Sequence, residues 1–252
     1  NSRIGRAQAI RQAAEGEFEE LKRQIITLLS HELRTPLTSV YGYTELALEE
    51  AADLPAGDFQ QFLVGIKKGA DRLTHLVDDV LMVIRLDTGE LDREFELLST
   101  VRDDIPDIIR RAVRHDVLRA SELGLTMELD IPDRLPPVLV HEQFLADALS
   151  RLVDNAVKFS RRQGHRVRIS ARAEDEHVKI CVRDWGVGIP RDQLPHLFER
   201  FRQINRAELE QQGAGLGLVI AQALVTCMGG DITAEGYEGA GCTFAIQLPV
   251  AS

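Results

Sequence analysis

Two runs of apolar residues at helical spacing dominate the N-terminal part of the chain. One passes through Ile26, Leu29, Leu33, Leu37, Val40, Thr44 and Ala47, the other through Phe59, Phe62, Ile66, Ala70, Leu73, Leu76, Val80 and Ile84. Steps of three and four residues place each run along one face of a helix. Between them DLPAGD (53–58) supplies the breakers Pro55 and Gly57, with Asp58 as an N-cap. The pattern predicts a helical hairpin. One hairpin leaves much of its apolar seam exposed, and pairing two copies into a four-helix bundle buries it. Upstream, Ile10, Ala14, Phe18 and Leu21 keep a helical period, which predicts a coiled-coil lead-in over 1–20.

After Leu86 the pattern changes. LDTGELDRE (86–94) is polar with one glycine and reads as a linker. Beyond it the sequence predicts a strand near 95–100, a helix near 104–123 and a strand over 126–131. A helix over 142–159, strands over 167–173 and 178–184, a helix near 215–228 and closing strands near 231–235 and 242–248 follow. This order predicts helices layered on one face of a mixed sheet. Two domains result: an all-α hairpin over 21–88 and an α/β sandwich over 92–252.

Composition narrows the function. Of 252 residues, 44% are hydrophobic and 28% charged, which excludes a disordered chain. A net charge of −10 opposes non-specific nucleic-acid binding. Cys181, Cys227 and Cys242 lack metal-ligand spacing and suit a reduced, cytoplasmic setting. The longest apolar run, LVDDVLMVI (76–84), is broken by Asp78 and Asp79, so no membrane segment is predicted in this chain. It opens on Asn1 without a signal-peptide pattern, and is expected to be the downstream part of a longer protein.

His31 lies in SHELRTP (30–36), two residues from both Leu29 and Leu33. That is about 200° around a helix from each, so the imidazole is expected to face away from the apolar stripe. Glu32 is an adjacent carboxylate able to take a proton from one ring nitrogen while the other attacks. Pro36 has no N–H for the carbonyl of Glu32 and loosens the helix there. A neutral imidazole is abundant at pH 7, its unperturbed pKa being about 6.5. The other six histidines (75, 115, 141, 165, 177, 196) lack such company and read as structural or surface residues.

A second set of motifs lies downstream. RLVDNAVKFS (151–160) sets Arg151, Asn155 and Lys158 on one helical face, beside an apolar stripe of Leu145, Leu149, Leu152, Ala156 and Phe159. An Asn carboxamide oxygen suits Mg²⁺, and a Lys three residues on can meet phosphate. The plain alternative is an amphipathic helix with a solvated polar edge. In DWGVGIP (184–190), Asp184 offers carboxylate oxygens to an exocyclic amine, while Gly186 and Gly188 let backbone approach a base. GAGLGLVIAQAL (213–224) puts Gly213, Gly215 and Gly217 just before a helix, where free N–H groups attract anions. Leu218 breaks a Rossmann fingerprint and no Gly-Lys-Ser/Thr follows, so a P-loop is excluded.

Taken in order, these segments resemble the boxes of the sensor histidine kinases over roughly residues 20 to 250. SHELRTPLTSV (30–40) is similar to the phospho-acceptor box, RLVDNAVKFS to the Asn box and DWGVGIP to the first glycine box. LFERF (197–201), GAGLGL (213–218) and GAGCTF (239–244) resemble the later boxes, with RQINRAELEQQ (202–212) as a lid over ATP. The resemblance implies a dimerisation and phosphotransfer hairpin followed by a gyrase-like (Bergerat) ATP-binding domain. It implies that His31 accepts the phosphoryl group, that Glu32 is its acid–base partner, and that Thr35 serves dephosphorylation of a response regulator. It implies nucleotide contacts from Asn155, Lys158, Asp184, Gly186, Gly188, Phe198, Gly213, Gly215, Gly217 and Thr243, with Asn155 holding Mg²⁺. Arg151 departs from the family by standing where a further Asn is usual. A homodimer, the receiver domain of a response regulator and an upstream sensor domain outside this chain are the implied partners. A nucleotide-binding scaffold with dominant phosphatase activity is the competing class. A gyrase-type ATPase leaves SHELRTP unexplained.

Overall fold

The computed structural model describes residues 30, 32–49, 56–160, 164–200 and 215–251. The lead-in over 1–20, Ile26, Leu29, His31, Pro55, the 202–212 stretch and Gly213 lie outside the described residues. Two compact units are present, and the division between Leu81 and Met82 falls inside a helix.

The first unit is the helical hairpin. Helix α1 covers 32–49 and α2 covers Ala56–Asp87. Gly57 and Asp58 therefore belong to the first turn of α2, where the sequence had set a breaker and a cap. Along α1 the residues turned inward are Glu32, Pro36, Val40, Thr44 and Ala47, whereas Leu37 stays exposed. On α2 the inward line runs Phe62, Gly65, Gly69, Leu73, Leu76 and Val80. Ala70, Phe59 and Ile84, assigned to the buried stripe by spacing, are exposed. The seam within one chain is thus rotated from the stripe that apolar residues alone trace. Glycines set its closeness. A Cβ on Gly69 would come within 2.6 Å of Val40 Cγ2, and one on Gly65 within 2.5 Å of the Tyr43 ring. Tyr43 also meets Phe62, with ring centroids 6.1 Å apart.

The second unit contains α3 (Glu90–Leu98), β1 (Thr100–Arg102), α4 (Ile105–Ala112), α5 (Arg114–Glu122), β2 (Thr126–Asp130) and β3 (Val138–Val140). Helix α6 (Glu142–Ser160) and strands β4 (Arg166–Glu174) and β5 (His177–Asp184) follow, then α7 (Gly217–Cys227), β6 (Asp231–Tyr237) and β7 (Gly241–Pro249). The main sheet has the order β2-β4-β5-β7-β6, with β2 parallel to β4 and the remaining pairs antiparallel. Helices α5, α6 and α7 pack on one face of it. Val167, Ile169, Val178, Ile180, Val182, Phe244 and Ile246 point into that layer. They meet Leu145, Leu149, Leu152 and Ala156 of α6 and Ile220 and Leu224 of α7. The opposite face carries ion pairs such as Glu128 with Arg166 and Arg168.

Three sequence expectations change here. The stretch 86–94 is not a linker: α2 runs to Asp87, Gly89 turns at φ 67°, and α3 begins at Glu90. Leu91, 1% exposed, anchors α3, and Arg85 bridges to Glu90 and Glu94. The strand expected at 95–100 is mostly the end of α3, and the short β1 pairs with β3, an element absent from the sequence reading. The helix expected over 104–123 is two helices, parted at Val113.

Candidate functional site

Asp184 ends β5 and is 2% exposed. Its Oδ1 accepts from the backbone N–H of Gly186 at 2.9 Å and of Cys242 at 3.3 Å. A carboxylate has acceptor sites on both oxygens, so Oδ2 remains for a ligand donor. Burial pushes the Asp184 carboxyl above the usual carboxylate range, and the backbone donors counter this only in part.

Backbone closes around this side chain. A Cβ on Gly241, at φ 82°, would fall 2.1 Å from the Asp184 carbonyl oxygen, and one on Gly188, at φ 73°, would fall 1.9 Å from that of Tyr237. A Cβ on Gly186 would fall 2.5 Å from the Phe159 carbonyl oxygen, joining the end of α6 to the turn. No side chain fits such approaches, and at Gly188 and Gly241 the positive φ also favours glycine. Gly241 and Cys242 were missed in the sequence, although GAGCTF was singled out. Cys242 adds a backbone donor to Asp184 beside the expected Thr243. Cys242 shares the helix-covered face with Phe244 and reaches Asp184 through its N–H, whereas Thr243 faces the other way, beside Arg183 and Glu235.

Helix α6 brings Arg151, Asn155 and Lys158 to one face, as their spacing predicts. Lys158 pairs with Asp154, which also accepts from Arg119 at 2.9 Å. Burial works against charge on Asp154, but Lys158 and Arg119 outweigh it and hold the carboxyl below its ordinary value. Arg151 Nε lies 3.2 Å from Asp147 Oδ1. The α6 start is held by His141, whose Nδ1 accepts from Phe144 N–H at 3.3 Å, so this histidine is structural.

Helix α7 packs on α6 and begins at Gly217, after Gly215 at φ 68°. Its N-cap residue, Leu216, makes no side-chain cap bond, and the first N–H groups of a helix attract anions. Phe198 is half-buried behind the buried Leu197, and Arg200 clasps Asp87 through two bonds of 2.9 and 2.6 Å. For a divalent cation the donor set is spare. Asn155 supplies one amide oxygen, and among the described residues no group of three or more His, Cys, Asp or Glu could hold a metal. That suits Mg²⁺, which keeps waters and takes most other ligands from phosphates.

On the hairpin, Glu32 is 6% exposed, and its Oε2 lies 3.0 Å from Arg72 Nη2 of α2. The sequence set this carboxylate beside His31 without a partner across the seam. Thr35 is exposed, and its carbonyl accepts from Ser39 Oγ at 3.3 Å. No helix among the described residues is long and apolar enough to cross a membrane.

Comparison with known proteins agrees with these two units. Residues 21–89 match the His Kinase A (phospho-acceptor) domain, and 140–252 match the histidine kinase-, DNA gyrase B-, and HSP90-like ATPase. The chain is 34% identical over 243 residues to the sensor protein DivL of Caulobacter vibrioides, covering 96% of this chain and 30% of that protein. It is 32% identical over 235 residues to the sensor histidine kinase WalK of Bacillus subtilis, covering 92% and 37%. Full-length ShkA, solved in complex with AMPPNP, superposes with a TM-score of 0.63 at 32% identity, over 91% of this chain and 46% of that one. The chain therefore spans less than half the length of each of these relatives.

Proposed function

Because the chain belongs to the sensor histidine kinases of two-component signalling, we propose that it moves the terminal phosphoryl group of ATP to His31 and then to a response regulator. The observation that carries this reading is the buried acceptor at Asp184, framed by Gly186, Gly188 and Gly241. Adenine presents an amino group that Oδ2 can accept from, whereas guanine presents a carbonyl oxygen there. Leaving such a group unpaired costs about 1–3 kcal/mol, a roughly ten- to hundredfold preference for ATP over GTP.

The phosphates extend from Asp184 toward α7, where the N–H groups after Gly215 and Gly217 and the Lys158 ammonium receive them. Mg²⁺, with Asn155 as its protein ligand, neutralises phosphate charge when bound. A ring nitrogen of His31 attacks the γ-phosphorus, the bond to the β-phosphate oxygen breaks, and ADP departs with that electron pair. Glu32 takes the imidazole proton. In the second step an aspartate oxygen of the regulator's receiver domain attacks phosphorus and the N–P bond breaks. Thr35, exposed on α1, orients water for removal of phosphate from the regulator.

We assign residues 21–88 to dimerisation and phosphotransfer and 92–252 to nucleotide binding. Leu37, Tyr41, Leu48, Leu63, Val77 and Leu81 are exposed on a single hairpin, which supports burial against a second copy. The protein works on the cytoplasmic side, under a sensor domain outside this chain. The test is incubation with γ-labelled ATP. The chain should acquire acid-labile label, and His31→Gln should acquire none while still binding ADP. Label retained by the Gln variant overturns the assignment.

A further inference from the structure

We infer that Arg72 is a positioning residue for autophosphorylation, holding the Glu32 carboxylate in place across a glycine-lined seam. The inference rests on the reading of Glu32 as the group that takes the proton from His31. Glu32 is one of five buried polar or charged residues among the described positions, and it is the one that lies in the hairpin. A buried carboxylate is costly unless it is paired, and a buried ion pair contributes little net stability compared with apolar side chains of similar size. Holding a charge here therefore serves orientation more than stability.

The placement of Arg72 follows from the two turns before it. Gly65, Gly69 and Arg72 are spaced by four and three residues, so they share the α2 face turned to α1. Tyr43 rests on Gly65, and Val40 and the Pro36 carbonyl rest on Gly69, where a Cβ would meet that oxygen at 3.1 Å. One turn further along this antiparallel register, Arg72 stands opposite Glu32, with Nη2 3.0 Å from Oε2. The guanidinium side chain is 23% exposed and that of Glu32 8%. A Glu side chain has three rotatable bonds, and a planar guanidinium fixes a carboxylate in orientation as well as in position. Pro36 lies one turn beyond Glu32 on the same face and, as a proline, has no N–H to donate. The carboxylate is thus anchored from α2 beside the proline turn of α1.

The test uses the full chain, with the rate of label transfer from γ-labelled ATP measured over a range of ATP concentrations. Arg72→Gln should lower kcat by about 10- to 100-fold and leave the ATP KM unchanged, and Arg72→Lys should recover to within about tenfold of the wild type. In the Glu32→Ala background, Arg72→Gln should cause no further loss, because the group it positions is gone. Wild-type labelling by the folded Gln variant overturns the proposal, as does a loss that multiplies with that of Glu32→Ala. If Arg72→Gln has no thermal unfolding transition, the Lys variant carries the same cycle. Its deficit must vanish when Glu32 is Ala, and a deficit that persists overturns the proposal. Wild-type labelling by Glu32→Ala alone instead removes the role of Glu32, a separate failure.

Discussion

The two units bury their apolar residues in different ways. Every one of the largest fully buried side chains, from Leu91 to Leu224, lies in the second unit. In the hairpin, Pro36 and Leu76 are the buried apolar side chains among the described residues before Leu81, and six or more large ones face outward. A sheet with helices on one face closes its own core, whereas two helices have only one mutual seam. The difference is that the second unit covers its own core, whereas many large apolar side chains of the hairpin stay exposed in a single copy. It also explains why the sequence stripe and the seam differ in phase. The stripe through Leu33, Leu37 and Val40 is a mixture of two faces: Leu37 is exposed, whereas Leu33 and Val40 are partly covered.

The contrast can be broken most strongly in the second unit. Leu152→Ala, at a fully buried position of α6, should cost about 2–5 kcal/mol, read as a shifted urea midpoint. An equal loss from Leu37→Ala would erase the distinction between the units. Next in size, Asp184→Asn should weaken ADP binding by about ten- to hundredfold with little loss of fold stability, measured by calorimetry and thermal melting.

The same site sharpens the comparison through pH. The Asp184 carboxyl is raised in the folded chain, so the folded state takes up its proton before the unfolded state does as pH falls. Its burial therefore weighs against the fold above the folded pKa, and protonation relieves that weight on acidification. Nucleotide affinity runs the other way, because a protonated oxygen no longer accepts from the base. ADP affinity should fall at a pH above that of an ordinary carboxylate, and Asp184→Asn should flatten the profile.

Smaller effects belong to the hairpin surface. Leu37→Lys should change the stability of the separate chain by no more than about 0.5 kcal/mol yet shift sedimentation toward monomer. Smallest of all, Asp71→Ala removes an exposed pair with Lys67 and should change the melting free energy by less than about 0.5 kcal/mol. A larger change would mean that this surface is covered in solution.

What could be read in advance depended on how many residues carried each signal. Strands β4, β5 and β7 and helices α6 and α7 alternate or repeat over seven or more residues, and the sequence placed them to within about two. The glycines around Asp184 were legible because the close backbone approach at Gly186 and Gly188 admits no side chain. Helix α3 was not, since nine charged-rich residues held by Leu91 and by Arg85 have no period to detect. Strands β1 and β3 have three residues each and exist through their pairing. Cys242 was not singled out beside Thr243, because its contact with Asp184 runs through the backbone N–H, which a side-chain motif does not display. Glu32 was read as the companion of its sequence neighbour. Its contact with Arg72, forty residues away, appears only once the hairpin is closed.

The two backbone donors on Asp184 Oδ1 bear on how a base would be recognised. With one oxygen held by Gly186 and Cys242, the side chain has already given up its rotational freedom before any nucleotide arrives. Selection among purines then costs no ordering of the acceptor and leaves the pocket little room to adapt. On the proposed reading, a wrong base would meet a fixed oxygen that cannot turn away, so discrimination would rest on geometry set by the fold.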